Sequence, residues 1–211
     1  MTALAYRRSV MTLYADAADP LGHCVRLVLT EKDINVEVHF IDEESKPEDL
    51  HDLNPYHTLL TLIDRDLVLY DDQIMLEYLD ERFPHPPLMP VDPVSRAQSR
   101  LLLYRIERDW YGLTARIDQE QDRREKAALR KQLRDTLLQC ADLFRLKPFF
   151  LSDEFSLVDA TIAPILWRLP HYEIDLPAAQ AQPILRYAGT VFSRDAFRVS
   201  LSPAEQGMRL A

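Results

Sequence analysis

The chain has 211 residues, of which 47% are hydrophobic and only 4 are glycine, and it carries a formal net charge of −9. This composition is typical of a globular protein, and the length suffices for one large domain or two small ones with their own cores. The negative charge repels phosphate backbones and argues against direct binding of DNA or RNA. No stretch approaches the roughly 18 consecutive apolar residues of a membrane span, and Met1–Arg8 lacks the apolar region of a secretory signal. We therefore expect a cytoplasmic protein.

The cysteine and histidine pattern predicts neither a disulfide nor a metal site. Cys24 and Cys140 are isolated, which offers no disulfide framework and no metal-ligand spacing, and each falls on an apolar helix stripe typical of core packing. The six histidines likewise show no ligand spacing. They are His23, His39, His51, His57, His85 and His171.

The first part of the chain alternates short apolar runs with amphipathic segments, which predicts strands and helices in turn. Asp19-Pro20 opens the first helix, because Asp caps free backbone N–H groups and Pro suits the first helical position. The predicted elements are, in order, a strand at Val10–Tyr14, a helix at Leu21–Lys32, a strand at Val36–Asp42, a short helix at Lys46–Leu53, strands at Thr61–Ile63 and Leu67–Tyr70, and a helix at Asp71–Phe83.

A proline-rich run follows the last of these helices and marks a boundary. Pro84, Pro86, Pro87 and Pro90 lie close together. Proline lacks a backbone donor and pushes the residue before it toward extended geometry, so no helix continues through them. We therefore predict a first domain over residues 9–83, a rigid, exposed connector over 84–92 and a second domain over 93–211.

The second domain is predicted to be helical throughout. Ser156 and Asp159 have the spacing of a capping box, and the helix they start is apolar nearly all round, which is typical of the buried centre of a domain. The predicted helices run from Asp92-Pro93 to about Glu120 and over Arg123–Leu146, Leu157–Leu169, Ile184–Phe192 and Pro203–Arg209.

Several short motifs resemble those of the glutathione transferase fold. They are Val25–Leu29 with Glu31-Lys32, Glu77-Tyr78-Leu79, and Ser156-x-x-Asp159 with Ala163-Pro164. This resemblance implies an α+β fold in which a thioredoxin-like βαβαββα domain precedes an all-helical domain. A closer resemblance, to one bacterial branch of the family, is carried by Asn54-Pro55, Glu77–Pro90, Arg105-Ile106-Glu107, Asp109-Trp110-Tyr111 and Phe149–Asp159. That branch associates with RNA polymerase in starvation and lacks transferase activity.

The resemblance also indicates where a transferase would bind glutathione, and the chain departs from the pattern at all three places. Asp19 stands where a hydroxyl or thiol would activate the glutathione thiol, and a carboxylate disfavours a neighbouring thiolate. Leu60 stands where the fold carries a cis-proline. A cis bond before a non-proline residue costs about 2.5–4 kcal/mol, so we expect a trans peptide. Asp71 and Asp72 replace the pair that receives the γ-glutamyl carboxylate and fill this anion site with their own charge. We predict a degenerate glutathione site with no catalytic residue and no cofactor.

The residues alone leave two interpretations of the connector open. It is either a linker that only orients two domains or a docking surface, since prolines reduce the conformational entropy lost on binding. The resemblance favours docking, because the branch uses its proline-histidine-proline segment to engage the polymerase. The predicted partner surface comprises Pro84, His85 and Pro86, with Arg108 and Tyr111 as neighbours, although an aromatic pair such as Trp110-Tyr111 is more often core.

The predicted function is a non-enzymatic transcription regulator that binds the RNA polymerase holoenzyme, with its sigma factor, through protein contacts. One alternative is a glutathione-dependent transferase or reductase with an atypical site, and another is a structural or chaperone-like interaction protein. The resemblance further implies a homodimer. Its seam would use exposed apolar residues of the helix at Asp71–Phe83 and of Leu101–Tyr104.

Overall fold

A computed structural model of the chain describes residues 10–209, except for the side chain of Asp49. The chain forms two compact units. One comprises the described residues up to Pro86 together with Val199–Glu205, and the other comprises the remaining described residues from Pro87 onward. The division at Pro86 falls inside the predicted connector. The predicted tail Met1–Arg8 and the predicted first domain residue, Ser9, lie outside the described residues.

A four-stranded mixed sheet forms the centre of the first unit. Its strands are β1 (Met11–Ala15), β2 (Val36–Phe40), β3 (Thr61–Asp64) and β4 (Leu67–Leu69), in the spatial order β2-β1-β3-β4. β1 pairs in parallel with β2 and antiparallel with β3, which pairs antiparallel with β4. All five residues of β1 are buried, so this strand is the middle of the unit's core.

Three helices alternate with these strands in the first unit. The predicted βαβαββα order is confirmed. The helices are α1 (Pro20–Glu31), α2 (Glu48–Leu53) and α3 (Asp72–Arg82), and α1 packs against α3. The helix boundaries follow the capping chemistry in the sequence. Asp19 caps α1 and Asp71 caps α3, each accepting a hydrogen bond from backbone N–H groups of the first turn.

Gly22 allows the first turn of α1 to lie close against the end of β1. A Cβ atom at Gly22 would lie 3.0 Å from the Cβ of Ala15, and 3.3 Å from both Nη1 of Arg26 and Oδ2 of Asp19. Carbon atoms at 3.0 Å overlap, because the optimal separation is about 3.5–4.0 Å. Any larger residue here would push the helix away from the strand.

The segment Val199–Glu205 belongs to the first unit, which corrects the predicted assignment of all of 93–211 to the second domain. Arg26 donates from Nη2 to Oε1 of Glu205 at 2.6 Å and from Nε to the carbonyl of Ser200 at 3.1 Å, and both charged side chains are buried. His23 Nε2 lies 3.0 Å from Oγ of Ser200. These partners lie more than 170 residues apart, so no local pattern reveals the contact.

The helices after Pro86 are longer and more numerous than those before it. They are α4 (Pro93–Ile106), a π-helical turn (Glu107–Tyr111), α5 (Gly112–Gln119), α6 (Arg123–Gln139), a 3₁₀ turn (Ala141–Arg145), α7 (Leu157–Trp167), α8 (Ala178–Phe192), α9 (Asp195–Ser200) and α10 (Pro203–Gly207). The predicted helix over 93–120 therefore contains a π turn, and the one over 123–146 ends at Gln139 before a 3₁₀ turn. The short helix α9 was not predicted.

The capping box at the start of α7 is confirmed, and α7 is buried along nearly its whole length, as the apolar pattern predicts. Asp159 accepts four hydrogen bonds: from the N–H and hydroxyl of Ser156 at 2.9 and 2.8 Å, from Phe150 N–H at 2.8 Å and from the Tyr187 hydroxyl at 2.7 Å. Burial raises the pKa of Asp159, although these four donors act in the opposite direction. The carboxyl thus joins α7, α8 and the loop before α7.

Within residues 10–209, none of the helices is long and apolar enough to cross a bilayer.

Candidate functional site

The N-terminus of α1, where a transferase would hold its activating group, is occupied by the carboxylate of Asp19. Its Oδ1 accepts a hydrogen bond from Leu21 N–H at 3.1 Å, and its Oδ2 accepts one from Gly22 N–H at 2.8 Å. The N–H groups of a helix terminus are the donors that stabilise anions. Asp19 therefore uses the donors that a ligand's thiolate would need, and it adds a negative charge beside them.

The segment before β3 is built from apolar residues with an ordinary backbone. Among the described residues the only cis peptide bond is His85–Pro86, so the Leu59–Leu60 bond is trans. Leu60 is buried and Leu59 packs against the cluster of Tyr14, Ile41, Leu50 and Ile63. The backbone of this segment thus places the side chains of Leu59 and Leu60 against the core of the first unit.

The N-terminus of α3 is likewise occupied by the chain's own acids. Oδ1 of Asp71 accepts a hydrogen bond from Ile74 N–H at 3.0 Å, and Asp72, the first helical residue, is buried. Two carboxylates at this terminus complement the helix dipole and repel a third.

Three further groups that could act as nucleophiles, those of Tyr14, Cys24 and Cys140, are buried or half-buried. Tyr14 is buried in β1, and its ring stacks on His39 at a centroid distance of 5.2 Å. Cys24 is fully buried on α1. Burial also raises the pKa of Cys140, which keeps its thiol protonated. Within residues 10–209, no group of three or more His, Cys, Asp or Glu side chains could hold a metal ion.

The connector is exposed only in part, which corrects the prediction of an exposed segment over 84–92. Pro84, His85, Pro86 and Pro87 are exposed, whereas Leu88 and Met89 are buried. The carbonyl of Leu88 accepts a hydrogen bond from Leu157 N–H at 2.9 Å. Leu88 and Met89 therefore belong to the core of the second unit, whereas Val91 and Asp92 at the end of the connector are exposed again.

A buried lysine fixes the backbone around the exposed half of the connector, a role that the sequence pattern, in which Lys32 belongs only to a family motif, did not predict. Nζ of Lys32, at the end of α1, donates to the carbonyls of Phe83 and Pro86, each at 2.7 Å, and lies 2.8 Å from Oδ1 of Asp80. The Lys32 side chain is fully buried. Three hydrogen bonds use all the donors of an ammonium group. Pro84 and His85 lie between these two anchored carbonyls.

The other two residues predicted for the partner surface differ in their exposure. Arg108 is exposed in the π turn and donates from Nη1 to the Tyr104 hydroxyl at 2.9 Å. This hydrogen bond raises the pKa of Arg108. Tyr111 is buried, and its hydroxyl donates to the Thr161 carbonyl at 2.8 Å. Tyr111 is a core residue, so its assignment to an exposed docking surface is wrong. The π turn brings both Trp110 and Tyr111 inward.

Each unit also leaves large apolar side chains exposed. On the first unit, Ile74 of α3 is 57% exposed, and the rings of Tyr56 and Tyr70 meet at 5.7 Å on the same unit. On the second unit, Leu101 and Tyr104 of α4 are 59% and 50% exposed, and Leu101 lines an open groove of about 860 Å³. Apolar patches of this kind are typical of protein interfaces.

The mixed sheet with its flanking helices and the helical second unit define a glutathione transferase-like fold. Residues 13–87 match the family model for the glutathione S-transferase N-terminal domain, and residues 115–187 match that for its C-terminal domain. The structure of rice GST1 in complex with glutathione aligns with a TM-score of 0.84 over 97% of each chain, at 20% identity. A Tau class glutathione S-transferase from mango aligns with a TM-score of 0.81 over 97% of this chain and 98% of its own, at 23% identity. Identities this low show the fold alone.

Comparison with curated relatives in sequence shows which family within this fold class the chain resembles. A stringent starvation protein A homolog from Pasteurella multocida is 51% identical over 95% of this chain and 94% of its own length. A second, from Coxiella burnetii, is 45% identical over 96% of this chain and 97% of its own length. The chain belongs to the stringent starvation protein A family.

Proposed function

We propose that this protein is a non-enzymatic transcription regulator that binds bacterial RNA polymerase holoenzyme through protein contacts. The observation that carries the proposal is the exposure of Pro84, His85 and Pro86 on a backbone that the buried Lys32 ammonium fixes. The family name, stringent starvation protein A, supports a role in the response to starvation.

Preorganisation of the segment Pro84–Pro86 favours its use as a docking surface. A loop that is already ordered loses little conformational entropy on binding, and small interfaces draw most of their energy from a few anchored residues. Proline side chains supply rigid apolar contact area, and His85 supplies a polar group between them. The net charge of −9 favours a partner with a basic surface.

Three positions of the glutathione site carry residues that disfavour glutathione binding and catalysis. Asp19 occupies the N-terminus of α1, Asp71 and Asp72 occupy that of α3, and Leu60 replaces the fold's cis-proline. A glutathione thiolate at Asp19 would meet a carboxylate and lose two of its donors. A glutathione-dependent transferase or reductase is the alternative, and binding of glutathione tests it directly.

The test is retention of RNA polymerase from a bacterial lysate by the purified protein, with the bound subunits identified by mass spectrometry. Replacing Pro84, His85 and Pro86 together by Ala should abolish retention. The fold should survive, because no core side chain is removed. The matched control replaces Pro170 and His171, a second exposed Pro-His pair, by Ala and should retain polymerase at the wild-type level. A triple variant that melts like the wild type and still binds polymerase would contradict the proposal.

We also propose that the protein acts as a homodimer. The support is the exposure of apolar side chains on both units: Ile74 on α3, and Leu101 and Tyr104 on α4. Isolated exposed apolar residues are ordinary, but Leu101 and Tyr104 lie one turn apart on α4 and Leu101 lines an open groove, which favours association. A dimer would present the connector twice and so raise the avidity for a partner with two contact points.

A further inference from the structure

Two histidines that the sequence spacing did not connect lie side by side on the first unit. His51 is on α2 and His57 lies in the loop that follows it. Their Nδ1 atoms are 3.0 Å apart, and the ring centroids are 4.8 Å apart. Both side chains are exposed, so solvent ions reach the pair.

The geometry of the pair is set by the backbone of the loop. His57 has φ 57°, in the left-handed region, and its N–H donates to the Asn54 carbonyl at 3.0 Å. Asn54 is fully buried, accepts a hydrogen bond from Tyr56 N–H at 3.0 Å and donates to the Thr58 carbonyl at 2.9 Å. The Lys46 ammonium donates to the His57 carbonyl. His57 is thus held against α2 by contacts that do not involve its ring.

We propose that His51 and His57 form a two-histidine site for a divalent transition-metal cation of the zinc class. Zn²⁺–N bonds are 2.0–2.1 Å long, and in a tetrahedral site this places two ligand nitrogens about 3.3 Å apart. The observed 3.0 Å between the Nδ1 atoms needs only a small widening. Imidazole is a preferred ligand of Zn²⁺, Ni²⁺ and Cu²⁺, whereas Mg²⁺ and Ca²⁺ prefer oxygen.

Binding leaves the proton count of the neutral pair unchanged. In the metal-free pair one Nδ1 is protonated, and its N–H donates a hydrogen bond to the other Nδ1. When the cation binds both Nδ1 atoms, that proton moves through solvent to Nε2 of the same ring, and each ring then carries its single proton on Nε2.

The site has two protein ligands and leaves the other coordination positions to water. No third His, Cys, Asp or Glu of the described residues completes the group. The cation would therefore bind reversibly rather than as a permanent structural metal. Its effect is to cross-link α2 to the loop before β3, which carries the exposed Tyr56. The six-residue spacing of His51 and His57 does not predict this contact, because it depends on the left-handed backbone at His57, which turns the chain back onto α2.

The experiment is a calorimetric titration of the full chain with Zn²⁺ at pH 7.5, together with long-range ¹H–¹⁵N spectra of the imidazoles. We expect one ion to bind per chain, with the Nδ1 resonances of His51 and His57 shifting. His51→Gln and His57→Asn should each weaken binding by at least about tenfold. Asn is chosen at His57 because it tolerates the left-handed region. The control, His39→Gln, removes an exposed histidine outside the pair and should bind as the wild type does.

The imidazole spectra are recorded on the wild-type protein, so they identify the histidines that bind Zn²⁺ even if a variant folds poorly. Zn²⁺ that shifts other histidines, or that binds both variants with wild-type affinity, would overturn the assignment. The proposal does not depend on polymerase binding, so its failure leaves the proposed function untouched.

Discussion

The buried ammonium of Lys32 lies 2.8 Å from Oδ1 of Asp80, so the last turn of α1 is tied to the last turns of α3. The same ammonium also donates to the carbonyls of Phe83 and Pro86, so that all three of its N–H donors are used. The residue that caps the C-terminus of α1 thus orders the backbone on both sides of Pro84 and His85. The Lys32 charge therefore supports both the contact between α1 and α3 and the backbone conformation of the exposed residues Pro84 and His85.

Replacing Lys32 by Met should destabilise the protein by about 3–5 kcal/mol, because it removes the buried positive charge that faces the Asp80 carboxylate. Urea unfolding followed by circular dichroism measures the loss. The double variant Lys32→Met/Asp80→Leu should recover most of the stability, since two apolar residues often replace a buried ion pair at little cost. It should not recover polymerase binding, because the carbonyls of Phe83 and Pro86 stay unanchored. A loss below about 1 kcal/mol in the single variant would show that this ion pair is not structural.

Replacing Glu205 by Gln should detach the C-terminal segment from the first unit. Glu205 accepts hydrogen bonds from Arg26 at 2.6 Å and from Ser202 N–H at 2.7 Å, and it is fully buried. The variant leaves the Arg26 guanidinium buried without a counter-charge, so we expect a loss of about 3–5 kcal/mol in unfolding free energy.

Hydrogen exchange should show faster exchange of the backbone amides of Val199–Glu205 in this variant than in the wild type. Asp195→Asn is the control, since Asp195 is exposed and lies 3.9 Å from Arg198; it should change the stability by at most about 0.5 kcal/mol. Unchanged exchange in the Glu205 variant would contradict the assigned role.

Glutathione should not bind usefully. The carboxylates of Asp19 and Asp71 occupy backbone N–H donors that the ligand needs, and Asp72 adds a second negative charge at the N-terminus of α3. Calorimetric titration with reduced glutathione checks this. Asp72→Ser alone should not restore turnover of a general electrophile, because Asp19 and Leu60 remain. A dissociation constant in the micromolar range for the wild type would refute the prediction and favour the transferase or reductase alternative.

Light scattering at micromolar concentration should give the mass of a dimer. Leu101→Glu should shift the population toward monomer, because a charge at the centre of an apolar seam must be desolvated on association. Leu185→Glu is the matched control: Leu185 is 48% exposed on α8, outside the proposed seam, and its variant should remain dimeric. A monomeric wild-type protein would contradict the homodimer.

Local chemistry made much of the fold predictable from the sequence. Asp19-Pro20 marks the start of α1, and the Ser156–Asp159 box marks the start of α7. Prolines 84, 86, 87 and 90 end the helical pattern near the division between the units. Each of these signals acts within one or two turns of chain, where the sequence and the backbone geometry are directly coupled.

The sequence by itself therefore determined the order of strands and helices and the type of residue at each position of the glutathione site. Only the tertiary structure decided which polar groups meet. Lys32 and Pro86, Arg26 and Glu205, and the Nδ1 atoms of His51 and His57 come together through packing. The π turn that buries Tyr111 is likewise decided by the core around it. The physical reason is that burial and pairing depend on the summed packing of distant elements, whereas a cap or a helix end depends only on its neighbours in the chain.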